Sequence, residues 1–246
     1  MYETIHYEAS DAVGTVFFNR PEKKNAYTPV MGEEIVAALN AAMADASVRV
    51  VILTGRGDAF CGGVDLDYLK AHMAGELPLD GPELGQEHFV NGWPLELVDY
   101  PKPVIAAING AAYGVGVTMT LGCDVRYAEE GCTLGLNFTS LGLLPGLGST
   151  HHLPRLIGMG KALEVVLSGG KFSAEEALQA GLVQRVCTAG SVYEEAKVLA
   201  LRMAEKKPEV LAAARQSLRY GAGANLADAI ANEKRRSVEV RGRRGD

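Results

Sequence analysis

No charged side chain occurs between Pro103 and Cys123, a run of 21 residues. A stretch of that length belongs in a bilayer or in a protein interior. The bilayer reading fails on content. Pro103 opens the run, and Asn109, Tyr113, Thr118, Thr120 and four glycines interrupt it. A spanning helix needs about 20 predominantly apolar residues. The run instead parses as a buried strand at 104–108, a Gly-rich turn, and a buried helix leaving near Val115. A strand apolar at every position calls for a sheet covered on both faces. This predicts an α/β fold.

The flanking sequence has the same character. A strand is read over 13–19. Thr28 and Pro29 then form an N-cap and a first-turn proline, and Met31, Ile35, Leu39 and Met43 follow at helical spacing, so a helix runs to about Ala44. An apolar strand over 48–54 is closed by Gly55-Arg56-Gly57, and a further strand is read at 125–128. Past residue 150 the chain turns helical, with helices at 161–167, 191–206 and 208–220. Between them Ser173 and Glu176 form a capping box for a helix that Gly181 ends. Residues 71–92 are the least regular and read as a surface loop with some helix, of the kind that shapes a substrate mouth.

The 246 residues carry a net charge of −6, which argues against a general nucleic-acid binder. The charge is uneven, because Lys234 to Asp246 holds six basic and two acidic groups. Four cysteines without a CxxC pair read as reduced, mostly buried thiols of a cytosolic protein. Five histidines without ligand spacing predict no metal site.

Gly110-Ala-Ala-Tyr-Gly114-Val-Gly116 matches a short-chain dehydrogenase glycine pattern, and Tyr193-Glu-Glu-Ala-Lys197 its YxxxK pair. Position excludes that reading. A nucleotide-binding glycine turn follows the first strand of its domain, and here only 83 residues separate the turn from the tyrosine. A nucleophile elbow is absent too, since Ser149 lacks the first glycine of GxSxG. A strand–glycine turn–helix junction leaves backbone N–H groups free to bind an oxygen that gains negative charge. Phe60-Cys-Gly-Gly-Val-Asp-Leu66 is a second such turn after a buried strand. Together the two turns can offer one N–H each to a single oxyanion.

Several motifs, in order, make the chain resemble the crotonase, or enoyl-CoA hydratase/isomerase, superfamily. Residues 19–26 are similar to its NRPxxxNA segment, 60–66 to FCAGADL, and 101–110 to PKPVIAAVNG. Gly114-Val-Gly116 stands where GGG is usual, followed by Cys123-Asp124, an LGxxPG at 141–146, Leu153-Pro-Arg155, and the run 173–186. The resemblance implies a spiral of ββα units over 1–190 and a C-terminal helical trimerisation region over 191–246. It implies a homotrimer or dimer of trimers that takes an acyl-CoA thioester, with coenzyme A entering as part of the substrate and no permanently bound cofactor. By position, the backbone N–H groups of Val64 and Val115 form the oxyanion hole, although Val115 puts a β-branched side chain in a tight turn. The adenine end of CoA is expected near Lys24, Asn25, Ala26, Gly62, Asp65 and Leu66. Gly63, Thr118, Phe138, Leu141, Gly142 and Gly146 are assigned to the rest of the substrate.

Three positions depart from the pattern. Thr118 and Phe138 stand where hydratases carry two glutamates, and Gly146 where an isomerase branch and the dehalogenases carry a carboxylate. Neither Thr nor Phe takes a proton near neutral pH, so two-glutamate hydration is not expected. His88 is the titratable candidate to replace them, while Glu83 and Glu87 read as solvated surface and Asp65 as a helix cap. Tyr113, Cys61, Thr139 and Ser140 are candidate hydrogen-bond partners in the pocket, and His151 and His152 read as packing or intersubunit residues. The chain also stops about where the family's last segment begins, and its basic end reads either as a partner for CoA phosphates or an acidic surface, or as a frayed terminus. Enolate stabilisation on an acyl-CoA is thus the first expectation. A CoA-independent β-diketone hydrolase using a histidine, and a catalytically silent CoA-binding scaffold, are the alternatives.

Overall fold

A computed structural model describes residues 2–76 and 82–242. In chain order its elements are β1 (Ile5–Ser10), β2 (Val13–Phe18), α1 (Pro29–Ala44), β3 (Val50–Gly55), β4 (Ala59–Cys61), α2 (Leu66–Met73), α3 (His88–Asn91), α4 (Trp93–Asp99) and β5 (Val104–Ile108). There follow β6 (Ala111–Tyr113), α5 (Val115–Thr118), β7 (Val125–Glu129), β8 (Thr133–Gly135), α6 (Ser149–Ile157), α7 (Met159–Ser168), β9 (Lys171–Ser173) and α8 (Ala174–Gln179). The chain closes with β10 (Arg185–Cys187), α9 (Val192–Ala204), α10 (Pro208–Gly221) and α11 (Leu226–Gly242).

Two sheets grow in step. The larger has the order β1-β2-β3-β5-β7-β10 and the smaller β4-β6-β8-β9. Among the described residues only the β1–β2 and β8–β9 pairs are antiparallel. β3 therefore passes to β4, β5 to β6 and β7 to β8, each turn of chain laying one strand in each sheet. That is the expected spiral, in an α/β fold with helices at its C-terminal end.

Alternation along each buried strand explains the unbroken apolar runs. Val51, Leu53, Val104, Ala106 and Ile108 face a core shared with Met31, Ile35 and Leu39 of α1 and with Phe60 and Leu134 of the smaller sheet. Val50, Ile52, Ile105 and Ala107 face the other way, onto Val192, Ala196 and Ala200 of α9. Each such apolar side chain contributes about 1.5–3 kcal/mol when taken fully from water.

Local signals set most element ends. The Thr28 hydroxyl accepts from Met31 N, with Pro29 in the first turn. Ser173 and Glu176 form both arms of their capping box. β3 begins at Val50 rather than 48, because Val48 N closes a turn on Asp45 O at 3.1 Å. The basic end of the chain is ordered helix rather than frayed as far as Gly242, with Arg236 paired to Glu239 at 3.1 Å. Residues 243–246, and residues 77–81 of the stretch read from the sequence as a surface loop, lie outside the described part. All four cysteines are free and buried, as expected. Among the described residues no helix is long and apolar enough to cross a membrane, and no group of three His, Cys, Asp or Glu side chains could hold a metal.

Candidate functional site

The turn after β4 is held open by the loop after β2. Tyr27 and Val64 form an isolated parallel bridge, in which Tyr27 N donates to Gly63 O at 2.7 Å and Asp65 N to Tyr27 O at 2.8 Å. Residues 63 and 65 make both bonds, so the N–H of Val64 faces away from the bridge. Among the described residues it donates to no acceptor. Gly62 N donates to Lys24 O at 2.8 Å, tying the same two segments once more. Asn25, fully buried, holds the loop from within: its Oδ1 accepts from Arg20 N, and its Nδ2 donates to Arg56 O and Ala59 O. Asp65 caps α2 by accepting from Asp67 N, and its other oxygen accepts from Arg20 Nη2 at 2.9 Å.

The second turn joins β6 to α5. Gly114 N donates to Gly135 O at 2.9 Å, and the Gly114 carbonyl accepts from Val117 N and Thr118 N. The left-handed φ of +52° falls on Gly114, the residue that can adopt it cheaply. Val115 is the first helical residue, outside the positive-φ region, so its branched side chain is tolerated there. Its N–H, at the first helical position, has no acceptor among the described residues.

Both turns open on one cavity of about 480 Å³. Of the residues expected there, Gly62, Gly63, Val64, Leu66, Val115, Thr118, Phe138, Leu141 and Gly146 line it. The three positions that lack the usual carboxylate are thus brought together on its wall. Lys24, Asn25, Ala26, Asp65 and Gly142 stand behind or beside the lining. Lys24 is exposed and pairs with Asp58, the Ala26 carbonyl accepts from Arg20, and Gly142 closes the turn Thr139–Leu141 at φ +68°. Cys61, Tyr113, Thr139 and Ser140 lie outside the lining. Burial pushes the Cys61 thiol up to about 12, and Thr139 spends its hydroxyl on Val166 O.

His88 and Glu87 lie differently from their sequence reading. The His88 ring is half-exposed, packs over Gly92, and pairs with Glu96 at 2.8 Å, outside the cavity lining. Glu87, read as a solvated surface residue, is 1% exposed and lines the cavity. Its Oε1 accepts from the Tyr27 hydroxyl at 2.7 Å and its Oε2 from Gly85 N at 2.5 Å. The physical reason is α1, whose Gly32 leaves room for Tyr27 and Phe89 and draws the start of α3 inward. No local pattern in 83–88 separates Glu87 from its neighbours, since its partner lies 60 residues upstream. Leu84, Val90, Leu143, Leu144 and Leu147 complete a mostly apolar wall that the motifs did not mark. His151 and His152 sit on α6 with rings edge to face at 5.2 Å. Burial first, and then the neighbouring His151 and arginines, push His152 down to about 4.

The comparisons agree with this architecture. The model of the enoyl-CoA hydratase/isomerase family matches residues 8–241. The 1,2-epoxyphenylacetyl-CoA isomerase of Escherichia coli K12 is 32% identical over 248 residues, covering 100% of this chain and 93% of that protein. The 2,3-dehydroadipyl-CoA hydratase of the same organism is 37% identical over 217 residues, 88% of this chain and 82% of its own. Among solved structures, an enoyl-CoA hydratase subunit I from Geobacillus kaustophilus HTA426 superposes with a TM-score of 0.88 at 33% identity, covering 98% of this chain and 91% of that one. With the fold, the paired glycine turns and the matched span in agreement, the chain belongs to the enoyl-CoA hydratase/isomerase family of the crotonase superfamily.

Proposed function

We propose that this protein binds an acyl-CoA thioester in the cavity and stabilises its enolate with the backbone N–H groups of Val64 and Val115. One observation carries the reading. Val64 and Val115, on two separate glycine turns, line one cavity, and the N–H of neither has an acceptor within the protein among the described residues. Both residues are only partly buried, and a donor without a partner in the protein is free to take a ligand's oxygen. Donors fixed in this way favour the enolate oxygen over the neutral carbonyl, and each contributes on the order of 3 kcal/mol to lowering the barrier. The leucine-rich wall suits an apolar acyl group. The exposed Lys24, whose carbonyl holds Gly62, stands beside the mouth where the nucleotide end of CoA would leave. Family relatives named for CoA esters support the same substrate class.

Self-association belongs to the same reading. The region 191–246 is proposed as the trimerisation region, because α10 and α11 leave Leu218 and Leu226 more than three-quarters exposed. The diketone-hydrolase alternative gains no support from His88, which pairs with Glu96.

The test is a panel of enoyl-, β-keto- and malonyl-CoA thioesters with a cyclic diketone, followed by mass spectrometry. Conversion of at least one CoA ester is expected. Cleavage of the diketone alone would transfer the reading to C–C hydrolysis, and tight CoA-ester binding without any product would leave a silent scaffold.

A further inference from the structure

We infer that Glu87 is the acid/base group of this cavity, moving a proton on and off the acyl carbon beside the thioester. The inference rests on the enolate reading above and adds the group that reading lacks. Thr118, Phe138 and Gly146 all line the cavity, and none can hold a proton for transfer. Among the described lining residues Glu87 is the one carboxylate. His72 also lines it but stands near the mouth, its side chain 37% exposed and facing Glu83 at 3.8 Å.

Three features fit Glu87 to proton transfer. It is 1% exposed, and none of the ion pairs among the described residues includes it. It is spent on no charge partner among the described residues and is held by the hydrogen bonds it accepts. The Tyr27 hydroxyl and Gly85 N–H fix one bond on each oxygen and leave each a further lone pair. Holding Tyr27 in place needs only an acceptor, which an uncharged amide oxygen also provides.

The chemistry then balances with one carboxyl group. The Glu87 carboxylate takes the proton from the carbon next to the thioester carbonyl. That C–H electron pair forms the enolate double bond, and the carbonyl pair moves onto the oxygen held by Val64 and Val115. The protonated Glu87 returns its proton to the same carbon, or to the γ carbon (C4 of a 3-enoyl chain) of a dienolate, so that the C3–C4 double bond moves to C2–C3. Hydration would need a second group to deprotonate water. The cavity is therefore assigned to proton transfer within an acyl-CoA, of the double-bond isomerisation class.

The experiment follows deuterium entry into 3-hexenoyl-CoA and phenylacetyl-CoA in D₂O by proton NMR, with calorimetric binding of the same esters. The intact protein is expected to exchange the acyl protons. Glu87→Gln is expected to lose exchange by at least about 100-fold, the usual cost of removing a positioned base, while its affinity for the esters stays within about threefold. Tyr27→Phe removes the hydrogen bond but keeps the carboxylate, and its loss is expected to stay within about tenfold. If the intact protein exchanges and Glu87→Gln exchanges as fast, or if Tyr27→Phe loses as much as Glu87→Gln, the role of Glu87 is overturned and the enolate reading survives. If the intact protein binds the esters but exchanges neither, both readings fail together.

Discussion

Which carboxylates the cavity lacks follows from single side chains. Thr118 is buried, with its hydroxyl directed at the Val115 carbonyl at 3.5 Å, and Phe138 presents a ring edge near Gly114. Neither can activate water, although both stand on the wall. Combining Thr118→Glu with Phe138→Glu should therefore raise crotonyl-CoA hydration from near zero by about 10²-fold or more, the scale of a restored acid/base pair. Loss of enoyl absorbance measures it, and fast hydration by the unaltered protein would contradict the importance given to these positions. The two glycine turns that carry Val64 and Val115, the donors proposed above and both on the cavity lining, were legible in the sequence as motifs. Glu87 was not. Its burial is decided by Tyr27 and by the space at Gly32, both far along the chain, whereas residue type alone put His88 ahead of Glu83 and Glu87.

At the scale of elements, the site depends on α5 lying against the end of β4. Gly116 permits this contact, since a Cβ there would stand 2.4 Å from the Cys61 carbonyl oxygen, a backbone atom that cannot step aside. Gly116→Ala should cost about 1–3 kcal/mol, as overpacking does, and lower Tm by roughly 2–4 °C for each kcal/mol in a chain of this size. It should also displace the Val115 N–H, so that turnover of an acyl-CoA falls further than its binding. Gly160→Ala is the comparison, because that glycine lies within α7 and has open space around it. A helical alanine there should leave Tm unchanged or raise it slightly. Equal behaviour of the two variants would show that the α5–β4 contact does not position the donor. Element ends governed by caps were readable beforehand, as at Thr28 and Ser173. The pairing of the two glycine turns was readable only as a possibility, because it requires β4 and β6 to be neighbours in the smaller sheet.

For the whole molecule, the question is what fastens the C-terminal helices to the sheets. α9 is held by apolar burial on the far face of the larger sheet. α10 is fastened by polar side chains, of which Arg215 makes the most bonds. Arg215, 7% exposed, donates through Nε to both oxygens of Asp124 at 2.9 Å, through Nη1 to Val98 O and Tyr100 O, and through Nη2 to Leu97 O. Asp124 also accepts from Val104 N, at the first residue of the strand that leads to the Val115 turn. The pair thus joins α10, α4 and β5 at one point. The charge pattern alone did not reveal it, since Arg215 sits among other basic residues of the helical region and Asp124 is read first as part of a CD motif. Removing one partner of a buried pair leaves the other charge uncompensated, at about 3–5 kcal/mol. Here Arg219 still donates to Asp124 at 2.9 Å, which offsets part of that loss, while the carbonyls of residues 97, 98 and 100 lose their donor. Arg215→Met should accordingly destabilise the chain by about 3 kcal/mol, the lower end of that range. Urea unfolding would show it as a lower midpoint. Adding Asp124→Asn to Arg215→Met should cost less than the sum of the two single changes, because the charge left behind is then gone. A loss below about 1 kcal/mol for Arg215→Met would mean that α10 is held by its apolar face, and that the arginine reports the docking without causing it.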